Sequence, residues 1–213
     1  MTPLMSDGKI KVIAISKKRN SYLVIFDNDK KLLLSIEQLL DYRISLDRIL
    51  DDEEFILLEK EINRYFWYEK CLKYLSQRLR TKKQLNFYLE KSDLTQEEKK
   101  KIIDKLTENN FLDDERFVKF FFEDCIQKGK GFYYFKNVLE KHDINRDLID
   151  EYINLFKDDT VIEMLIQKYK LTNKELTQIN KYKIINNMLR NGIFEDVIEQ
   201  VIKNIENNKE MSE

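Results

Sequence analysis

The sequence predicts a mostly α-helical fold: tandem three-helix repeats forming an elongated, curved array, preceded by a small β-rich module. Three observations carry that prediction. Pro occurs once and Gly four times in 213 residues, so few positions force a helix to stop. Apolar residues from Phe55 onward recur at spacings of three and four, the period of one helix face. A short pattern also returns at intervals of about fifty residues, as expected of stacked repeats.

Residues 1–50 read as the β-rich module. Lys9–Ser16 and Ser21–Asp27 alternate with β-branched residues and flank the basic turn Lys17-Lys18-Arg19-Asn20. Asp27-Asn28-Asp29 is a second turn, leading into Lys30–Ser35. Three strands joined by polar turns make an antiparallel meander, and a short helix follows at Ile36–Asp41.

Helix dominates beyond. Asp51-Asp52-Glu53-Glu54 places acid where a helix N-terminus is positive. Phe55, Leu58, Ile62, Tyr65, Tyr68, Leu72, Leu75 and Leu79 then form the apolar stripe of one long helix ending near Arg80. Thr81-Lys82-Lys83-Gln84, Thr95-Gln96-Glu97-Glu98 and Thr172-Asn173-Lys174-Glu175 read as capping boxes, each opening a helix. Gly129, Gly131 and Asn191-Gly192 read as helix stops.

The repeat is carried by Leu89-Glu90-Lys91-Ser92-Asp93-Leu94, echoed by Leu139-Glu140-Lys141-His142-Asp143-Ile144 and more weakly by Leu189-Arg190-Asn191-Gly192-Ile193. Paired apolar residues follow each echo at Ile102/Ile103, Leu148/Ile149 and Val197/Ile198. A unit of this size cannot bury its apolar face alone and must stack on a neighbour. Residues 51–113 are expected to hold the long helix and the first three-helix repeat. Residues 114–157 hold the second, and 158–213 the third with an acidic tail.

The residue types exclude most chemistry. His142 is the only histidine, so no histidine-based triad or multi-histidine metal site can form. None of the spacings of a zinc protease, a dinucleotide or phosphate loop, or a serine nucleophile elbow occurs. Gly129-Lys130-Gly131 lacks the preceding strand of a phosphate loop. The acid pairs Asp51/Asp52, Asp113/Asp114 and Asp158/Asp159 each precede an apolar helical pattern, where a carboxylate caps exposed N–H groups. In Tyr65-Phe66-Trp67-Tyr68, Phe120-Phe121-Phe122 and Tyr133-Tyr134-Phe135, consecutive rings cannot all face one core, so one per cluster is expected at the surface. No enzyme, cofactor or metal is expected. Cys71 and Cys125 read as reduced thiols of a cytoplasmic protein, and no apolar run approaches the ~20 residues of a membrane span.

What remains is binding. Lys and Arg total 38 against 39 Asp and Glu, so any contact with phosphate must come from a local patch. Lys70, Lys73, Arg78, Arg80, Lys82 and Lys83 form such a run with no acid between them, and Lys128 and Lys130 occupy the comparable inter-helix position of the second unit.

Cys71-Leu-Lys-Tyr-Leu-Ser-Gln-Arg-Leu-Arg-Thr-Lys-Lys-Gln-Leu85 resembles the A-L-x-x-L-S-x-R-x-R-[ST]-x-x-E-L signature of the RecX family of recombinase regulators. Leu106-Thr-Glu-Asn-Asn-Phe-Leu-Asp-Asp-Glu-Arg-Phe117 is similar to the family's L-x-E-x-G-[FL]-[LI]-[DN]-D-x-x-[FY]. Lys128-Gly129-Lys130-Gly131 followed by Val138–Ile144 is similar to its K-x-G-x-x-x-I-x-x-x-L-x-x-K-G-[IV], and Leu189-Arg190-Asn191-Gly192 to its L-x-R-R-G-F. The β-rich leader resembles that of longer, Gram-positive-type members. Asn110 and Asn191 stand where the family has glycine, His142-Asp143 replaces a Lys-Gly, and Gln84 replaces Glu.

The resemblance implies a monomeric modulator of RecA, binding along the groove of the RecA–single-stranded DNA filament and blocking its extension or promoting its disassembly. Recombination, strand exchange and co-protease signalling would be damped with no chemistry of the regulator's own. Arg78, Arg80, Lys82, Lys83, Lys128 and Lys130 are the expected RecA- or DNA-facing set. A tandem helical DNA-binding protein acting without RecA is the alternative, and steep salt dependence in the absence of a partner would mark it.

Overall fold

The computed structural model describes residues 8–172 and 178–210. Packing divides the chain into two compact units, one formed by Met1–Gln77 and Leu89–Lys105, the other by Arg78–Tyr88 and Leu106–Glu213.

The first unit opens with a four-stranded antiparallel sheet of order β3-β2-β1-β4: β1 Lys9–Lys18, β2 Ser21–Phe26, β3 Lys31–Leu34 and β4 Ile49–Asp51. The expected meander is its first three strands. The fourth, three residues between a turn and the start of the next helix, is too short to leave an alternating pattern; it is fixed by pairing Lys9, Ile10 and Lys11 with Asp51, Leu50 and Ile49. A bulge between Val12 and Ala14 shifts the register along β1 and leaves Ile13 half exposed. Helix α1 spans Ile36–Asp41, closed at its start by a Ser35/Gln38 capping box.

Helix α2, Asp52–Ser76, starts at the acidic run as expected: Asp51 accepts from the Glu54 N–H, and Glu54 accepts from the Asp51 N–H. Its first half covers the sheet, with Phe55 and Leu58 joining Val12, Val24, Phe26, Leu34 and Leu50 in one core. The expected stripe holds only that far. Beyond Ile62 the buried positions are Trp67 and Cys71, whereas Tyr65 is 43% exposed. A helix of 25 residues packs its two halves against different surroundings, so one unbroken stripe is not required. Helix α4, Gln96–Glu108, starts at the Thr95/Glu98 box; within the unit, Lys105 lies over the Tyr68 ring at 4.9 Å.

The second unit is helical among its described residues. Helix α3 is Lys82–Leu89, α5 Asp114–Gln127, α6 Phe132–Lys141 and α7 Arg146–Asp150, followed by a 3₁₀ turn at Leu155–Lys157. Helices α8 Asp159–Thr172, α9 Gln178–Arg190 and α10 Glu195–Glu210 complete it. Its core gathers Phe132, Phe135, Leu139, Ile149, Phe156, Leu165, Met188 and Val201. The third expected capping box lies on Asn173, Lys174 and Glu175, outside the described residues.

Helices end here by a common device. The Ile44 N–H donates to the Leu39 carbonyl, Phe111 to Leu106, Lys130 to Cys125, Ile144 to Leu139 and Ile193 to Met188. In each case the residue preceding the donor has left-handed φ: Arg43, Asn110, Gly129, Asp143 and Gly192. This six-residue closure satisfies carbonyls that a helix end leaves bare. It also corrects the repeat. Leu139 corresponds to Met188, fully buried, and not to Leu189, which is 43% exposed; the third echo is offset by one residue. Gly131 is corrected as well: it is no stop but the N-cap of α6.

Candidate functional site

All six expected contact residues belong to the second unit. Four of them surround the start of α3. Thr81, wholly buried, caps this helix through its hydroxyl and the Gln84 side chain. The Lys82 backbone N–H, one of the orphan donors of the first turn, donates to Asp114 Oδ1 at 2.9 Å. Asp113 caps α5 by accepting from the Arg116 N–H at 2.9 Å. Lys83 Nζ pairs with Asp143 Oδ1 at 2.9 Å in the turn after α6. The start of α3, the start of α5 and the end of α6 therefore meet. Arg78 and the Lys82 side chain are exposed there, and Arg80 is half buried.

Lys128 and Lys130 stand elsewhere, just beyond the C-terminus of α5. A helix of 14 residues is about 20 Å long at ~1.5 Å per residue, so the structure places the two basic groups at opposite ends of α5 rather than together. Lys128 Nζ pairs with Asp124 at 2.7 Å, one helical turn back, and that bond raises the ammonium pKa above its ordinary value. Lys130 Nζ donates to Asn191 Oδ1 at 2.8 Å and lies 4.8 Å from the Tyr134 ring centroid. Asn191 Nδ2 donates in turn to the Tyr169 hydroxyl at 3.0 Å. Two of the six cations, Lys83 and Lys128, are thus already matched by carboxylates, although the sequence run from Lys70 to Lys83 contains none.

Rings connect the two ends. His142 and Phe117 have centroids 6.1 Å apart, Phe117 and Phe121 stack at 6.1 Å, and Phe121 lies 6.3 Å from Tyr134, whose ring carries Lys130. All four rings are half buried or exposed. Phe117 and Phe121 are four apart on α5, a spacing legible in the sequence; that α6 supplies the rings at both ends of the row was not. The expectation of one exposed ring per aromatic cluster is met at Phe120. It is exceeded at Tyr133 and Tyr134, with Phe135 buried, and at Tyr65 and Phe66, with Trp67 buried.

His142 caps the C-terminus of α6. Burial first, then the nearby Lys83 charge, lower its pKa, with Asp143 and Asp114 opposing. Burial pushes the Cys71 and Cys125 thiols up to about 12, far from the range of a nucleophilic thiolate. Among the described residues no cluster of three His, Cys, Asp or Glu could hold a metal, and no helix is long and apolar enough to cross a membrane.

No family model matches the chain. Curated relatives do. Regulatory protein RecX of Streptococcus gordonii is 25% identical over 190 residues, covering 86% of this chain and 72% of its own. Regulatory protein RecX of a Geobacillus species is 26% identical over 218 residues, covering 97% and 80%. A crystal structure of regulatory protein RecX superposes with a TM-score of 0.68 at 19% identity, covering 91% of this chain and 99% of its own. RecX from Lactobacillus salivarius superposes with a TM-score of 0.58 at 23% identity, covering 68% and 97%.

Proposed function

The chain belongs to the RecX family of regulatory proteins, and from that premise we propose that it binds the RecA–single-stranded DNA filament and inhibits or remodels it. The observation that carries the reading is the layout of α5 and α6: cations at both ends, joined by a row of partly exposed rings. A flexible polynucleotide is bound by this combination, its phosphates held by cations and its bases stacked on rings regardless of sequence. A filament presents both a polynucleotide and a repeating protein surface, so several modest contacts add by avidity. Arg78, Arg80, Lys82, Lys83, Lys128 and Lys130 supply the charge, and Tyr134, Phe121 and Phe117 the stacking surface. The regulation is by binding; nucleotide hydrolysis remains RecA's.

The test is the single-stranded-DNA-dependent ATPase of RecA from the same source, with this protein titrated in. A fall at amounts well below one per RecA is expected for capping or disassembly of the filament. No effect at equimolar amounts would overturn the RecA reading. The ring row equally suits a protein that binds free single strands without RecA. That alternative requires binding to a bare oligonucleotide that weakens steeply with added salt.

A further inference from the structure

We propose that the free edge of β3 and the groove beside it form a docking site for an extended polypeptide segment of a partner protein, one whose groove-facing side chains, every second residue, are apolar with a Lys or Arg among them. β3 is an outer strand of the sheet, paired on one side only, with β2. Which of its backbone groups face outward follows from the hairpin. The Phe26 N–H donates to the Lys30 carbonyl at 3.0 Å, so Phe26 and Lys30 form a hydrogen-bonded position. Antiparallel pairs alternate between bonded and non-bonded. Val24/Leu32 and Tyr22/Leu34 are therefore bonded, whereas Ile25/Lys31 and Leu23/Leu33 are not. The N–H and C=O of Lys31 and Leu33 point away from β2, and among the described residues no backbone group bonds to them.

That edge opens onto a groove of about 760 Å³ lined by Leu32, Leu33 and Leu34 on one side and by Ile62, Tyr65 and Phe66 of α2 on the other. Leu33, Tyr65 and Phe66 are 54%, 43% and 51% exposed, an apolar surface left wet on both walls. The rim selects charge. Glu59, Glu69 and Asp93 line it against the single cation Lys60. Lys30 takes Glu59 in an ion pair, and Asp93 is held by the neutral Asn63 amide at 2.9 Å, which leaves its charge uncancelled. Strand addition supplies main-chain hydrogen bonds, and every second side chain of the added strand faces the groove, so apolar members of that set reach the wall and a basic member of the same set meets Glu69 or Asp93. This site lies wholly in the first unit and does not depend on the RecA reading.

The experiment titrates the full, ¹⁵N-labelled chain with the acetylated and amidated octapeptide Val-Thr-Arg-Thr-Val-Thr-Arg-Thr, which sets valine and arginine on one face of the strand, against the same design with glutamate for arginine. Expected are shifts and slowed hydrogen exchange at the Lys31 and Leu33 amides with the arginine peptide, and binding about tenfold weaker for the glutamate peptide. Leu33→Pro deletes the outward N–H while sparing the bonds to β2, and is expected to weaken binding about tenfold with the circular dichroism unchanged. Because proline can disturb a short strand, Glu69→Lys is the second variant: it leaves β3 untouched, replaces the carboxylate that Tyr65 hydrogen-bonds with a cation, and is expected to weaken the arginine peptide and not the glutamate one. Equal affinity for the two peptides, or shifts that miss β3, would overturn the proposal.

Discussion

Gly131 and Gly192 meet backbone to backbone. The Gly131 N–H donates to the Asn191 carbonyl at 2.9 Å, and the Tyr133 N–H to the Gly192 carbonyl at 3.0 Å. α6 has no side-chain cap. Its first free N–H groups are satisfied by the carbonyls of the turn that ends α9, so two helix ends with opposite needs complete each other. A Cβ on Gly131 would stand 2.3 Å from the Gly192 oxygen, and one on Gly192 would stand 2.4 Å from the Tyr134 nitrogen.

Gly131→Ala is therefore expected to cost on the order of 3 kcal/mol in denaturant unfolding, although its backbone angles suit alanine, because the obstacle is main chain. Gly129→Ala is the contrast. Its φ of 64° is strained for alanine, but the nearest atoms, Lys168 Cδ and Cε, belong to a flexible side chain. About 1–2 kcal/mol is expected there. Equal losses at the two positions would contradict the close contact.

Asn110 occupies the left-handed position after α4 with φ of 58°. Asn110→Gly is expected to raise stability by about 0.5–1 kcal/mol, since glycine adopts that angle without a Cβ penalty. Asp143→Gly relieves the same strain but removes the partner of Lys83. That pair is solvent-exposed on both sides and contributes little, so a small net gain is expected here as well. Thermal unfolding of both variants checks this.

The helices and their starts were legible because capping is local chemistry: Asp51, Thr81, Thr95 and Asp113 each sit within four residues of the group they satisfy. The first three strands were legible from alternation. Features set by partners distant in sequence were not. β4 exists through its pairing with β1, the lower half of α2 turns Trp67 inward in place of Tyr65, and the third echo is offset because Met188 rather than Leu189 faces the core. The basic residues were visible one by one. Their division between two ends of α5, and the carboxylates that meet Lys83 and Lys128, came only with the fold.

Both thiols are buried, with pKa pushed from 9.0 to about 12. A pKa raised on folding means that the folded state holds its proton more tightly. The associated stability is complete below about pH 9 and is lost as pH rises from there toward 12. Native protein is expected to resist a thiol reagent at pH 8 and to release two reactive thiols on unfolding. Fast labelling of either cysteine in the native state would contradict this burial.

His142 titrates below its ordinary value because burial and Lys83 disfavour the imidazolium. Its folded pKa is depressed, so the corresponding stability is present above about pH 6.5 and falls away as pH drops through the folded pKa. Lys83→Ala is expected to move the His142 resonance titration upward by NMR. An unchanged midpoint would show that burial alone sets it.

If the chain regulates the RecA filament as proposed, the six cations are not expected to contribute equally. Lys83 and Lys128 carry carboxylate partners, at 2.9 and 2.7 Å, that any phosphate must displace. Arg78 and Lys82 are exposed at the meeting of α3, α5 and α6. Arg78→Glu and Lys82→Glu are therefore expected to weaken inhibition of the RecA ATPase more than Lys83→Gln or Lys128→Gln. If the contact is to phosphate, each reversal lowers the salt slope of DNA-dependent binding by about 1. Tyr134→Ala tests the stacking surface separately: affinity for filament falls while the salt slope stays the same, because a ring releases no counterions. Inhibition that survives reversal of Arg78 together with Arg80 would remove the α3 end from the interface and leave the Lys130 end to account for it.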